Sequence, residues 1–119
     1  MVLNRELVRG SMEVMILSTL ADGELYGYLI QKRIREISGN QIRPQVGTLY
    51  RMLNRLEGLG AVKARWDKSG IRSRKWYQLT AKGRGMLEQQ AADWRRSMEG
   101  ILQLLKPALP GVSLDSAPA

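Results

Sequence analysis

Apolar residues recur with two different periods along this chain of 119 residues. In residues 44–60, PQVGTLYRMLNRLEGLG, Val46, Leu49, Leu53 and Leu56 fall at i, i+3, i+7 and i+10, which is one face of an α-helix. Pro44 suits the first turn, where its missing N–H has no partner to lose, and Gly60 suits the position just past the last turn. At about 100° per residue, the opposite face carries Gly47, Thr48, Arg51, Asn54, Arg55 and Gly58. That face holds small residues, hydrogen-bonding groups and two arginines, and no acid. A face that is merely solvated usually mixes signs.

The same period runs earlier in the chain. Over residues 4–21, Leu7, Val8, Met12, Met15, Ile16 and Leu20 mark the buried side of a first helix, with Asn4 as its N-cap and Asp22-Gly23 as its stop. A second helix is expected over residues 26–38, with Tyr26, Ile30, Ile34 and Ile37 as its stripe and Gln31, Lys32 and Arg35 outside. Gly39-Asn40 closes it, and only Gln41-Ile42-Arg43 separates it from the Pro44 helix.

After Gly60 the period drops to two. Val62, Ala64 and Trp66 alternate with Lys63 and Arg65. A polar loop follows over residues 67–73, and then Lys75, Tyr77 and Leu79 alternate with Arg74, Trp76 and Gln78. Two such runs around a Gly/Ser/Asp loop predict a β-hairpin, which must pack on the helices to be stable. Thr80 then caps a helix over residues 81–105. Within it Leu87, Ala91, Trp94, Met98, Ile101 and Leu105 are spaced 4, 3, 4, 3, 4, a short heptad seam. Such a helix can fold back on its own domain or pair with the same helix of a second copy. Pairing is expected, because the first 80 residues already close a domain. Residues 106–119, with prolines and small residues and no periodicity, read as a disordered tail.

The predicted fold is therefore mainly α with a small β-hairpin. It comprises a winged helix-turn-helix DNA-binding domain over residues 1–80, a C-terminal dimerisation helix over residues 81–105, and the tail. Charge sharpens this reading. The net charge is +8, and between Tyr28 and Arg84 there are 14 Lys/Arg against 3 Asp/Glu, while the remainder is slightly acidic. That concentration predicts a polyanionic partner. An anionic membrane surface would require a basic amphipathic helix with large exposed apolar residues.

The absence of histidine and cysteine removes the commonest general base, the thiolate nucleophile and disulfides. With no Gly-rich phosphate loop and no paired carboxylates in a periodic context, no enzyme, no metal site and no cofactor is expected. No apolar run approaches membrane-spanning length and no signal-peptide pattern opens the chain, so a cytoplasmic protein is expected.

Several pieces together resemble the PadR family of transcriptional regulators. They are Arg9-Gly10-Ser11 with Met12-Glu13 and Ile16-Leu17; Gly23 with Tyr26-Gly27-Tyr28; Gly47-Thr48-Leu49-Tyr50 with Leu53, Arg55-Leu56-Glu57 and Gly60; Arg74-Lys75-Trp76-Tyr77; and Leu79-Thr80-Ala81-Lys82-Gly83. The resemblance implies a dimeric winged helix that represses transcription and is relieved by a small molecule or another signal. It implies too that Tyr28, Thr48 and Tyr50 lie near the DNA backbone. Many relatives carry His where Tyr26 stands and Pro where Arg51 stands, so an operator preference does not carry over. The single short last helix is similar to that of the family's smaller branch.

The expected roles follow. Arg51 is the first candidate for a base contact, since a guanidinium can donate two hydrogen bonds to guanine; a phosphate contact or a free surface arginine is the alternative. Thr48, Tyr50 and Asn54 offer uncharged donors, with Tyr50 on the border of the apolar stripe. Arg72, Arg74 and Lys75 are expected to meet phosphates from the hairpin, with Lys68 beside them, and Lys32 and Arg35 to flank the backbone from the second helix. Glu57 is expected to pair with a neighbouring arginine. Trp94 anchors the dimer seam or lines a pocket for a flat aromatic effector between subunits. The expected partners are double-stranded DNA and a second copy of the chain. An RNA- or ribosome-associated winged helix is the competing reading, because charge does not separate RNA from DNA. A protein-interaction winged helix would not need the basic segment.

Overall fold

Met12, Ile16, Leu17 and Leu20 project from one side of helix α1 (Arg5–Thr19) and its C-terminal turn, and the rest of the domain condenses on them. The computed structural model describes residues 5–111, with side chains described from residue 11 onward. The cap expected at Asn4 lies outside the described residues, as do the side chains of Leu7 and Val8. Buried Thr19 is satisfied by donating its hydroxyl hydrogen bond to the Ile16 carbonyl at 2.7 Å.

The chain then makes a short strand β1 (Leu25–Tyr26) before helix α2 (Gly27–Ile37). The expectation of a helix from Tyr26 is corrected here, because Tyr26 is a strand residue and α2 begins one position later. Only Ile30 and Ile34 of its expected stripe are fully buried. Ile37 is 74% exposed, since the helix ends there and no element covers it. Gly39 (φ 60°) and Asn40 (φ 66°) both take the left-handed conformation that turns the chain toward the next helix. The Asn40 amide donates back to the Arg35 carbonyl at 2.8 Å.

Helix α3 spans Val46–Gly58. Pro44 is buried but precedes the helix instead of sitting in its first turn, and its carbonyl accepts a hydrogen bond from Gln31 Nε2 at 2.8 Å. Leu49, Leu53 and Leu56 carry the buried stripe, whereas Val46 is exposed because the first turn overhangs the core. Gly60 adopts φ 77°, and the Ala61 amide bonds back to the Leu56 carbonyl at 2.9 Å, which ends the helix as expected.

Strands β2 (Val62–Asp67) and β3 (Arg74–Leu79) pair in the predicted hairpin, from Val62↔Leu79 to Asp67↔Arg74. The sheet has a third strand, however. β1 adds to the free edge of β3, in register Leu25↔Tyr77 and Tyr26↔Trp76, giving the antiparallel order β1-β3-β2. Val62 and Tyr77 are buried in the helical core, with Leu25, Ala64 and Leu79 packed against it.

Helix α4 (Ala81–Leu105) begins at the expected cap, where Thr80 Oγ1 accepts from the Gly83 amide at 3.0 Å. The same hydroxyl donates to the carbonyls of Gly60 (2.6 Å) and Ala61 (3.0 Å), tying the start of α4 to the end of α3. Met86 and Leu87 pack against the core, and Gln90 Nε2 reaches Glu13 on α1 at 3.1 Å. A 3₁₀ turn, Lys106–Ala108, continues α4 into the segment expected to be tail; residues 112–119 lie outside the described residues. The described chain is elongated, 55 × 30 × 22 Å.

Candidate nucleic-acid interface

The exposed side of α3 forms one wall of a cleft of about 360 Å³, whose other walls are the start of α2 and the hairpin. Tyr50 and Asn54 line it from α3, Gly27 from α2, and Trp66, Ser73, Arg74 and Lys75 from the strands and their loop. Four of the residues singled out from sequence are thus brought together. Thr48 and Arg51 adjoin them on the same exposed face, where Arg51 Nη2 lies 3.4 Å from the Thr48 hydroxyl. Gly27 permits the arrangement: the Tyr50 ring sits against its Cα, where a β-carbon would lie 2.6 Å from Cζ.

Glu57 fixes the hairpin to α3. Its carboxylate accepts from Lys75 Nζ at 3.0 Å, and this bond pushes the lysine above its ordinary pKa. The expected arginine partner is corrected to Lys75, which lies eighteen residues away in sequence. Lys75 also stands 5.6 Å from the Tyr77 ring and 5.9 Å from the Trp66 ring. It is therefore partly committed to structure, and its charge is shared with an acid.

On the outer face of the sheet, pairing sets Tyr26, Trp76 and Arg65 in a row across three strands. Tyr26 meets Trp76 edge to face at 5.0 Å, Arg65 stacks over Trp76 at 5.6 Å, and Arg74 lies 4.7 Å over Tyr26. Tyr28 stacks beside Tyr26 at 6.5 Å and is itself exposed. Glu24 grips Arg65 through both carboxylate oxygens, and this contact holds its carboxyl below the usual glutamate range. Sequence reading missed this cluster. Its one available signal was a Tyr-Gly-Tyr string beside a strand-like Arg-Lys-Trp-Tyr string, and the pairing of Tyr26 with Trp76 cannot be read from either alone.

The positive charge is unevenly engaged. Arg33 pairs with Asp22 at 3.5 Å and Lys32 with Glu36 at 3.9 Å. Lys32 and Arg35 line a separate surface around Gly39 and Asn40, outside the cleft. Among the described residues, no carboxylate stands within 4 Å of Arg51, Arg55, Lys68, Arg72 or Arg74. Arg72 sits at the hairpin loop with Arg74. These five cations run from α3 to the tip of the hairpin, which gives that side a field attractive to phosphate.

The expected seam on α4 is placed in two parts. Leu87 packs partly against the domain's own core. Trp94 and Met98 are half-buried, while Ala91, Ile101 and Leu105 are exposed, with Leu104 82% exposed beside them. Among the described residues, no helix is long and apolar enough to cross a membrane, and no cluster of His, Cys, Asp or Glu could hold a metal ion.

Comparison with known proteins agrees with this geometry. The sequence profile described as the transcriptional regulator PadR-like family matches residues 16–89. A transcriptional regulator from Clostridium thermocellum is 29% identical and superimposes with a TM-score of 0.79 over 86% of this chain and 97% of that one. A PadR family transcriptional regulator from Eggerthella lenta is 33% identical, with a TM-score of 0.74 over 84% and 86% of the two chains. Bacillus subtilis PadR, solved in complex with operator DNA, is 27% identical with a TM-score of 0.62. That similarity covers 67% of this chain and 46% of the other.

Proposed function

Because the chain belongs to the PadR-like family of transcriptional regulators, we propose that it is a repressor that binds a palindromic operator as a homodimer. The observation that carries this reading is the continuity between the acid-free face of α3 and the unopposed cations of the hairpin. The operator complex of Bacillus subtilis PadR supports DNA as the polyanion. In this reading α3 enters the major groove. Arg51 donates to guanine O6 and N7, and Thr48, Tyr50 and Asn54 bond phosphates or base edges. Tyr28, Arg72 and Arg74 hold the flanking backbone. Lys75 acts chiefly by fixing the hairpin through Glu57, and Lys32 contributes at the edge.

The exposed apolar residues Ile101, Leu104 and Leu105, continued by Trp94 and Met98, support α4 as the dimer contact. Two copies related by a two-fold axis then present two α3 helices to half-sites about one helical turn apart. A flat aromatic effector held against Trp94 between the two α4 helices would change their crossing and so the spacing of the α3 pair. The protein works in the cytoplasm, where the chromosome lies.

Selection of bound duplexes from a random pool, with the full chain as bait, tests the proposal. A palindromic consensus with half-sites about 10 base pairs apart is expected. The same selection with Arg51→Ala should lose a guanine from each half-site. An asymmetric consensus would refute the two-fold arrangement. Enrichment no better than for random duplex, or tighter binding to RNA, would refute the DNA reading.

A further inference from the structure

Between Asp67 and Arg74 the paired strands end, and residues 68–73 form the tip of the hairpin. At that tip Ile71 is fully exposed. Among the described residues, the other exposed large apolar side chains lie on helices, at their ends or on a strand. Ile71 alone among them projects from a loop, in the sequence Lys68-Ser69-Gly70-Ile71-Arg72-Ser73.

The loop is shaped, and its one neighbouring acid is used in shaping it. The Asp67 carboxylate accepts hydrogen bonds from the Ser69 hydroxyl at 2.6 Å and the Ser69 amide at 2.9 Å, which turns the chain sharply after β2. The carboxylate is thereby drawn into the loop, leaving Lys68 and Arg72 as the outward charges. A hairpin that touched only phosphates would be served by Lys, Arg, Ser and Gly. A branched aliphatic side chain at the apex gains nothing from a phosphate. It gains from leaving water in an apolar slot, and the slot that DNA offers beside a basic contact is an opened base step in the minor groove.

The dimensions allow it. Six paired residues give the hairpin a length of about 20 Å, against a major groove about 12 Å wide. The Glu57–Lys75 pair holds the hairpin against α3. With α3 in the major groove, the hairpin tip can pass the intervening phosphates to the adjacent minor groove.

We propose that Ile71 is a minor-groove wedge, with Arg72 beside it, that selects operators by how readily one base step at each flank opens. The inference rests on the DNA-binding reading above. It adds a specificity that α3 does not supply: a preference for flexible pyrimidine–purine steps at positions outside the major-groove contacts.

The test uses full-length protein and a duplex of about 24 base pairs carrying the selected consensus, about 80 Å long and labelled at both ends for fluorescence energy transfer. Wild type should bind and shorten the end-to-end distance. Ile71→Ala should bind that duplex on the order of tenfold more weakly, the scale of one lost base contact. It should also leave the duplex straighter, while its affinity for random duplex and its thermal unfolding stay unchanged. Ile71→Leu should keep most of the affinity and the bend. Replacing the flanking pyrimidine–purine step by a purine–purine step should weaken wild type by the same factor and Ile71→Ala hardly at all. If Ile71→Ala binds and bends the consensus as wild type does, the wedge is refuted while the regulator reading stands. Equal weakening on consensus and random duplex would also refute it, by making Ile71 a backbone contact. Failure of wild type to bind the consensus would overturn both readings.

Discussion

Gly83→Ala isolates the joint between α3 and α4. Gly83 lies in the first turn of α4, where a β-carbon would overlap the Ala61 carbonyl oxygen and stand 2.9 Å from its carbon and 2.8 Å from Leu79 Cδ1. The obstacle is backbone held in place. The Ala61 carbonyl accepts from the Thr80 amide at 3.1 Å and from the Thr80 hydroxyl at 3.0 Å. Relief requires the first turn of α4 to lift by about 1 Å, which stretches those bonds and the cap from Gly83 to Thr80. Overpacking of this kind costs about 1–3 kcal/mol, and the weakened cap about another 1 kcal/mol. Alanine returns about 1 kcal/mol through its better helix propensity. The net loss is about 1–3 kcal/mol, which for a domain of this size lowers the melting temperature by roughly 5–20 °C. Thermal unfolding followed by circular dichroism, at one fixed protein concentration because the proposed dimerisation would add to stability, measures it. Gly85→Ala is the internal control. That position opens to free space, so the same substitution should raise stability by up to about 1 kcal/mol. A Gly83→Ala protein that melts at or above the wild-type temperature would show that the joint is looser than the geometry states.

Gly27→Ala meets a different obstacle, the ring of Tyr50, with Cζ 2.6 Å and Cε1 2.9 Å from the new carbon. That ring is partly exposed and can swing outward, so the melting temperature should change little while operator affinity falls about fivefold to tenfold; a melting loss as large as that of Gly83→Ala would contradict this. Acidification should loosen the sheet edge and hairpin tip first. Glu24, held down by Arg65, and Asp67, held down by the Ser69 hydroxyl and amide, have folded-state pKa values below their unfolded ones. Their contribution is therefore present above about pH 4 and is lost as pH falls through the folded values. Amide protection factors, corrected for the intrinsic rate at each pH, should fall at β1 and Ser69 below about pH 4 before those of the helical core, and a uniform response would refute the assignment.

The helices are legible in sequence because their signal is local. Leu49, Leu53 and Leu56 fall on one face whatever surrounds them, and Thr80 caps α4 through an amide three residues away. Errors gather where a distant partner decides. Tyr26 fits the α2 stripe by spacing, but its backbone pairs with Trp76, fifty residues on, and the resulting edge strand makes Tyr26 extended. Val46 and Ile37 fit their stripes equally well. Each lies at a helix end that overhangs the core, and periodicity does not record where a core stops.

The same distinction governs the site. The basic segment is visible as composition, but the freedom of each cation is a property of the fold. Lys75 and Arg65 look alike in sequence to Arg72 and Arg74. Glu57 and Glu24 reach the first two across eighteen and forty-one residues, whereas the second two have no carboxylate within 4 Å among the described residues, Asp67 opposite Arg74 being turned toward Ser69. The acids thereby do two things at once: they brace the hairpin against α3 and against the turn that leads into β1, and they neutralise two of the hairpin's own cations. Among the cations left without an ion pair, Arg51 and Arg55 lie on α3, and Lys68, Arg72 and Arg74 at the end of the hairpin. This two-ended arrangement needs a rigid joint between its ends, and the Glu57–Lys75 pair supplies it. Neutralising Glu57 should therefore add a free cation to the face and yet weaken operator binding, because the outer half of the hairpin, beyond the buried Val62 and Tyr77, loses its tie to α3 and with it more in positioning than one more phosphate contact returns.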